Sequence, residues 1–254
     1  MSLTLDFLPQ MAFAFMLIFA RIGAITMLLP GIGDRTVPPR IRLVLALALT
    51  LVLYPLVHTV FPPLPTTLNA MIGALTSEML IGLAIGFTVR MIVTAILFAG
   101  SVIAFQTGLA FAQSVDPAQG VQSSLFSAFF SVLTVAVLFA TDMHYMLLSA
   151  MHDSYQLFRP NGEVPIGDLT EVALKTLSDG FRVALQLSAP FLVFGLIFYL
   201  GIGILTRLIP QVQVFFLAMP ANITLGLILF MLLLSTMMVW YLDYFGRALT
   251  PFLA

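Results

Sequence analysis

The stretch MIGALTSEMLIGLAIGFTVRMIVTAILFAGSVIAFQTGLAFA, Met71 to Ala112, decides what kind of protein this is. It is apolar almost throughout, and its marked interruptions are Glu78, Arg90, Gly100 and Gln106. The hydrocarbon core of a bilayer takes about 20 apolar residues of helix. The run is about twice that length, so it must bend, split or continue outside the lipid. Phe7 to Leu29, Leu43 to Phe61, Leu125 to Leu148, Val183 to Leu205 and Val214 to Phe245 are further apolar runs. Of 254 residues, 61% are hydrophobic and 8% charged, where a soluble domain carries about 25% charged residues. The expected fold class is all-α: a polytopic integral membrane protein with about six apolar segments.

Composition also narrows the chemistry. A formal net charge of −1 leaves no basic surface to attract nucleic acid. The absence of cysteine rules out disulfides, iron–sulfur clusters and thiolate metal sites. The sequence holds no GxxxxGK[ST] loop, no HExxH pair and no GxSxG elbow. An intramembrane hydrolase, for instance one around His144, is therefore weakly supported, and no cofactor or metal is expected. Met1 to Gln10 lacks the positive n-region of a cleaved signal, so the first apolar run is read as retained.

Between the runs lie loops. Pro30 to Arg42 is rich in Pro and Gly and carries Arg35, Arg40 and Arg42, which places it on the cytoplasmic side by the positive-inside rule. Pro62, Pro63 and Pro65 stop the second run. His152 to Arg182 is the most water-like part, with Asp168 and Glu171 in the pattern of an N-cap and its capping-box partner. Arg207 to Gln213 joins the last two runs.

Five ionisable residues fall within or beside apolar runs: Arg21, Glu78, Arg90, Asp142 and Asp243. Charge in a bilayer is costly and usually finds a partner or water. Either these residues mark an ion path, or they pair between helices, Arg21 or Arg90 with Glu78. His144 and His152 are eight residues apart and make no ligand set for zinc. Gly82 and Gly86 form a GxxxG step, which lets another backbone approach closely, and Gly201 and Gly203 read the same way. Ala104 to Gly120 is unusual. It begins apolar, carries Gln106, Gly108 and Gln113, then turns at Asp116-Pro117. Non-helical backbone at membrane depth needs protein cover or a water-filled cavity. The element is either an ordinary interhelical loop or one that lines or closes a passage.

The ordered set of these pieces resembles the FliR family, the flagellar type III export-gate proteins, with the injectisome T components as its counterpart. The resemblance runs from Arg21-Ile-Gly23 and Pro30 through Val37 to Arg42, Glu78 to Gly82 with Gly86, and Ala99-Gly100 with Gln106 to Leu109. It continues through Asp116-Pro117, His144, Ser154-Tyr155, Pro160 and Ala189-Pro190. It ends with Gly201-Ile-Gly203, Arg207, Pro210 to Phe215 and Pro220. The chain departs from the family at Tyr199, where a small polar or acidic residue is usual, and at Gln213, where Asn is.

The resemblance implies a structural part and not an enzyme. It implies bent helical hairpins packed with P-type and Q-type export-gate subunits, and with larger membrane proteins of the apparatus, around a passage for unfolded substrates. The location implied is the bacterial inner membrane, in the flagellar basal body. Residues 1–182 would be a P-like portion and 183–254 a Q-like hairpin. The loop matching Gln106 to Gln122 would help plug the closed passage, through Gln106, Gly108, Leu109, Phe111, Gln113, Asp116 and Pro117. Arg21, Glu78, Gly82, Gly86, Arg90, Arg207, Pro210, Gln211 and Phe215 would serve packing and assembly. An injectisome T component is the nearest alternative. A small secondary transporter using Glu78, Arg90 and Asp142 is a more distant one.

Overall fold

The computed structural model describes residues 7–34, 36–110, 124–160, 164–208 and 214–253, without the side chains of 7 and 214–217. The described residues are helical, with no strand among them. The helices are α1 (Phe7–Leu28), α2 (Pro39–Val57), α3 (Leu68–Gln106), α4 (Leu125–Ala140), α5 (His144–Leu157), α6 (Ile166–Leu208) and α7 (Val214–Leu249). Five are long and apolar enough to cross a membrane, or six if the α4–α5 pair makes one broken span. The chain is therefore an all-helical, polytopic membrane protein.

Three boundaries differ from the sequence expectation. The basic loop ends at Pro38, because Pro39 begins α2 and takes Arg40 and Arg42 into the first turn. A proline at the first helical position loses no intrahelical bond, since that N–H has no partner anyway. The run Leu125 to Leu148 is broken, and α4 and α5 meet at 78°. Asp142 sits at the break with φ 59°, a left-handed conformation that Asp tolerates better than most residues. The water-like segment is no separate helix. Its first residues, to Leu157, end α5, and its part from Ile166 opens α6, which runs unbroken for 43 residues into the next apolar run. Asp168 is thus in the first turn of α6 and is not its N-cap, where its charge still suits the helix dipole.

The chain divides into two compact units. The first holds Met1–Ile92, Val137–Leu177 and Gly246–Ala254. Its core is a stripe of α1 (Phe13, Leu17, Ile18, Ile22, Ile25) with Ala46, Leu53 and Val57 of α2 and Ile81, Ile85 and Val89 of α3. The GxxxG step does what its spacing predicts, within the chain. A Cβ on Gly82 would meet the Arg21 carbonyl and stand 2.9 Å from Ala24 Cβ. One on Gly86 would stand 3.2 Å from Ile25 Cα. These glycines bring α3 backbone to α1 backbone, where apolar tails of lipid supply no driving force and packing must.

The second unit holds Val93–Ala136 and Ser178–Phe245. Phe230 of α7 gathers the rings of Phe126, Phe129 and Phe130 of α4 at 4.6, 5.7 and 5.6 Å. These are edge and tilted contacts of the kind aromatic quadrupoles favour. Gly100 of α3 lets α4 approach, since a Cβ there would lie 2.9 Å from the Ser127 nitrogen. Ser127 Oγ donates to the Leu97 carbonyl at 2.7 Å across the same contact. Gly201 and Gly203 do not join this packing. A Cβ on either would meet nothing within 4 Å among the described residues.

Candidate functional site

In the first unit one charge organises its surroundings. Arg21 of α1 is 0% exposed and Glu78 of α3 is 2% exposed. Arg21 Nε and Nη2 donate to the two carboxylate oxygens of Glu78 at 2.6 and 3.1 Å. Nη1 donates to the Ser154 carbonyl at 2.7 Å and more weakly to Ser154 Oγ at 3.4 Å. Nη2 also donates to the Phe158 carbonyl at 2.9 Å. The guanidinium carbon lies 4.3 Å from the centroid of the Tyr155 ring. All five N–H groups of the guanidinium therefore have acceptors, the only state in which a buried Arg is tolerable. Two of those acceptors are carbonyls at the end of α5, of which that of Ser154 also accepts the Phe158 N–H at 2.9 Å. Arg21 ties α1, α3 and the C-terminus of α5 together. The partner of Glu78 is Arg21, while Arg90 bonds Asp34 at 2.5 Å. Asp34 also accepts from the Gly31 N–H at 3.1 Å, and Arg42 donates to the Asp34 and Val37 carbonyls at 2.8 Å, so the loop before α2 is held from inside.

In the second unit the end of α3 is seated residue by residue. Gln106 closes the helix, and Asn222 Nδ2 donates to its carbonyl at 3.2 Å. The Gln106 side chain occupies the place where a Cβ on Gly195 of α6 would be. The Thr107 side chain fills the corresponding place at Gly226 of α7, 2.8 Å from Cβ to Cβ position. Asn222 and Gly226 are one helical turn apart, so they present one face of α7. Gly108 then turns the chain at φ 74°, and a Cβ there would also stand 3.1 Å from Asn222 Nδ2. Glycine is required at this point twice over, by torsion and by space.

The other expected residues scatter. Asp142 is exposed in its turn. Arg207 is exposed in the last turn of α6, where a cation suits the helix end. Leu109 is half-buried. Phe111, Gln113, Asp116, Pro117, Pro210 and Gln211 lie outside the described residues, as does the side chain of Phe215. His144 stacks on Phe139 at 4.9 Å, and His152 bonds its neighbour Asp153 at 2.9 Å. No group of three metal-ligating residues occurs among the described residues. A groove of about 360 Å³ in the first unit is lined by Leu80, Phe87, Met91, Leu169 and Leu174 among others, and collects no titratable group. Sequence reasoning missed Asn222, Gly195, Gly226 and Asp34. Asn222 lies in an apolar run and was a visible polar exception, whereas a single Gly in a membrane helix carries no signal of its own.

The profile of the bacterial export proteins, family 1, matches residues 12–248. The flagellar biosynthetic protein FliR of Caulobacter vibrioides is 42% identical over 88% of this chain and 90% of that protein. The chain belongs to the FliR family of bacterial export proteins. The FliR of Bacillus subtilis is 30% identical over 94% of the chain and 91% of its own length. That of Escherichia coli is 29% identical, over 82% and 78%. As a FliR-family member the chain is a multi-pass membrane component of flagellar protein export. The FliR-type pieces read from the sequence, from Arg21 to Pro220, all fall inside the matched span.

Proposed function

We propose that the chain is a structural and gating subunit of the flagellar type III export channel in the bacterial inner membrane. Its segment from Gln106 to Gln122 closes a passage for unfolded flagellar substrates. The observation that carries this reading is the seat at Gln106 to Gly108, in a chain of this family. Three consecutive residues are gripped by two other helices immediately before the segment in question. An ordinary surface loop needs no such foundation.

P-type and Q-type membrane subunits complete the passage, with residues 1–182 as the P-like portion and 183–254 as the Q-like hairpin. Helix lengths support a place among partners. At 1.5 Å per residue, α3 and α6 run for about 58 and 64 Å, against a hydrocarbon core of about 30 Å. Only 11% of the most apolar window of α6 is buried within the chain. Apolar surface that extends past the lipid needs protein cover. The flagellar relatives favour this machine over the injectisome. The transporter alternative loses ground, since Glu78, Arg90 and Asp142 have three different surroundings. Energy for transport comes from elsewhere in the machine, because the sequence has no nucleotide-binding loop.

Deleting Gln106 to Gln119 from the native gate tests the reading. Cells should become leaky to small solutes while the subunit still assembles. Cells that remain tight would sink the plug role.

A further inference from the structure

We propose that Gln106 and Thr107 form a fixed anchor, and that Asn222, Gly195 and Gly226 are the positioning residues that set where the closing segment begins. The inference rests on the closure reading above. It adds which residues stay still.

Asn222 is 3% exposed, and its Oδ1 has no partner among the described residues. A buried acceptor left unsatisfied costs about 1–3 kcal/mol. A leucine would pack there without that penalty, so Asn222 is a poor choice for stability alone. What it supplies is direction. Its amide meets the Gln106 carbonyl, which the end of α3 leaves without an intrahelical donor. That bond defines the depth and rotation at which α3 stops. The glycines act by shape. Gln106 and Thr107 enter spaces that exist only because Gly195 and Gly226 have no side chains. Sliding or turning the end of α3 would drive both side chains into helix backbone. Packed interiors of this kind do not deform smoothly. Gly108 comes next, with the one left-handed torsion of the seat. Everything up to Thr107 is held, and Gly108 sets the direction in which the chain leaves the seat. When the passage opens, the end of α3 therefore stays in place.

The absence of native cysteine makes the test clean. A Cβ on Gly195 lies 3.6 Å from Gln106 Cβ, inside the Cβ–Cβ range of about 3.5–4.5 Å for disulfides. The pair Gln106→Cys with Gly195→Cys also removes the carboxamide that would obstruct the bond. In the assembled gate, in native membranes, the two thiols should oxidise to a disulfide. The oxidised gate should then export substrate at the rate of the same gate reduced. A disulfide that blocks export, reversibly with reductant, overturns the proposal, because the anchor then has to move. Failure to cross-link overturns it too.

Asn222→Leu supplies the second readout. The assembled gate should show a several-fold rise in small-solute leak, whereas a merely structural role would alter its abundance and not its tightness. An assembled Asn222→Leu gate that stays tight counts against the positioning role. The deletion of Gln106 to Gln119 separates the two levels. If the deletion leaks and Asn222→Leu does not, the anchor is wrong and the closure reading stands. If the deletion itself is tight, the closure reading has failed.

Discussion

Arg21 shows how a charge survives in an apolar helix. Its guanidinium is shared between a carboxylate, two helix-end carbonyls and an aromatic face. Removing one member of such a buried pair strands the other, and typically costs about 3–5 kcal/mol. Arg21→Leu should therefore lower the subunit's stability in detergent by roughly that amount, read as a lower melting temperature or loss of accumulated protein. The double variant Arg21→Leu with Glu78→Leu should recover part of the loss, because no charge is left behind, although the Ser154 and Phe158 carbonyls lose the guanidinium. If the double variant is as unstable as the sum of the two single ones, the pair is not coupled. That Arg21 and Glu78 needed partners was legible from their position in apolar runs. That the partner of Glu78 was Arg21 and not Arg90 was not, since both are basic and both were available.

Among the elements, the same motif reading had two outcomes. Gly82 and Gly86 press α3 on α1, while Gly201 and Gly203 meet nothing among the described residues. Gly82→Leu should drive a side chain into the α1 backbone at Arg21 and reduce accumulation of the chain strongly. Gly201→Ala should leave the isolated subunit's stability unchanged or slightly raised, since Ala is the better helix former by about 1 kcal/mol. Accumulation and protease resistance of the two variants in membranes would check both. Equal sensitivity would mean that Gly201 is packed by something outside this chain. Helix ends were less legible than helices. The break at Asp142 is flanked by apolar residues on both sides, so hydropathy ran across it. The start of α6 is polar, so hydropathy stopped short of a helix that continues through it. Hydropathy reports the medium around a segment, whereas helix continuity depends on backbone torsions.

At the scale of the molecule, two helices are about twice as long as a bilayer core is thick, and most of the apolar window of α6 is uncovered within the chain. The chain's apparent stability should depend on assembly. A tagged copy taken from native membranes in mild detergent should carry P-type and Q-type export-gate subunits in fixed ratio, by mass spectrometry. A lone chain or a homo-oligomer, from cells that express those partners, would contradict the gate reading. The sequence by itself determined the membrane class, the number of apolar segments and the family, because composition and run length are properties summed along the chain. Only the tertiary structure decided which charges pair, which glycines admit a neighbour and what holds the end of α3. Arg21 and Glu78 are 57 positions apart, and Gln106 and Asn222 are 116 apart. Contacts over such separations depend on how the helices pack, and packing is a property of distances in space that no local pattern records.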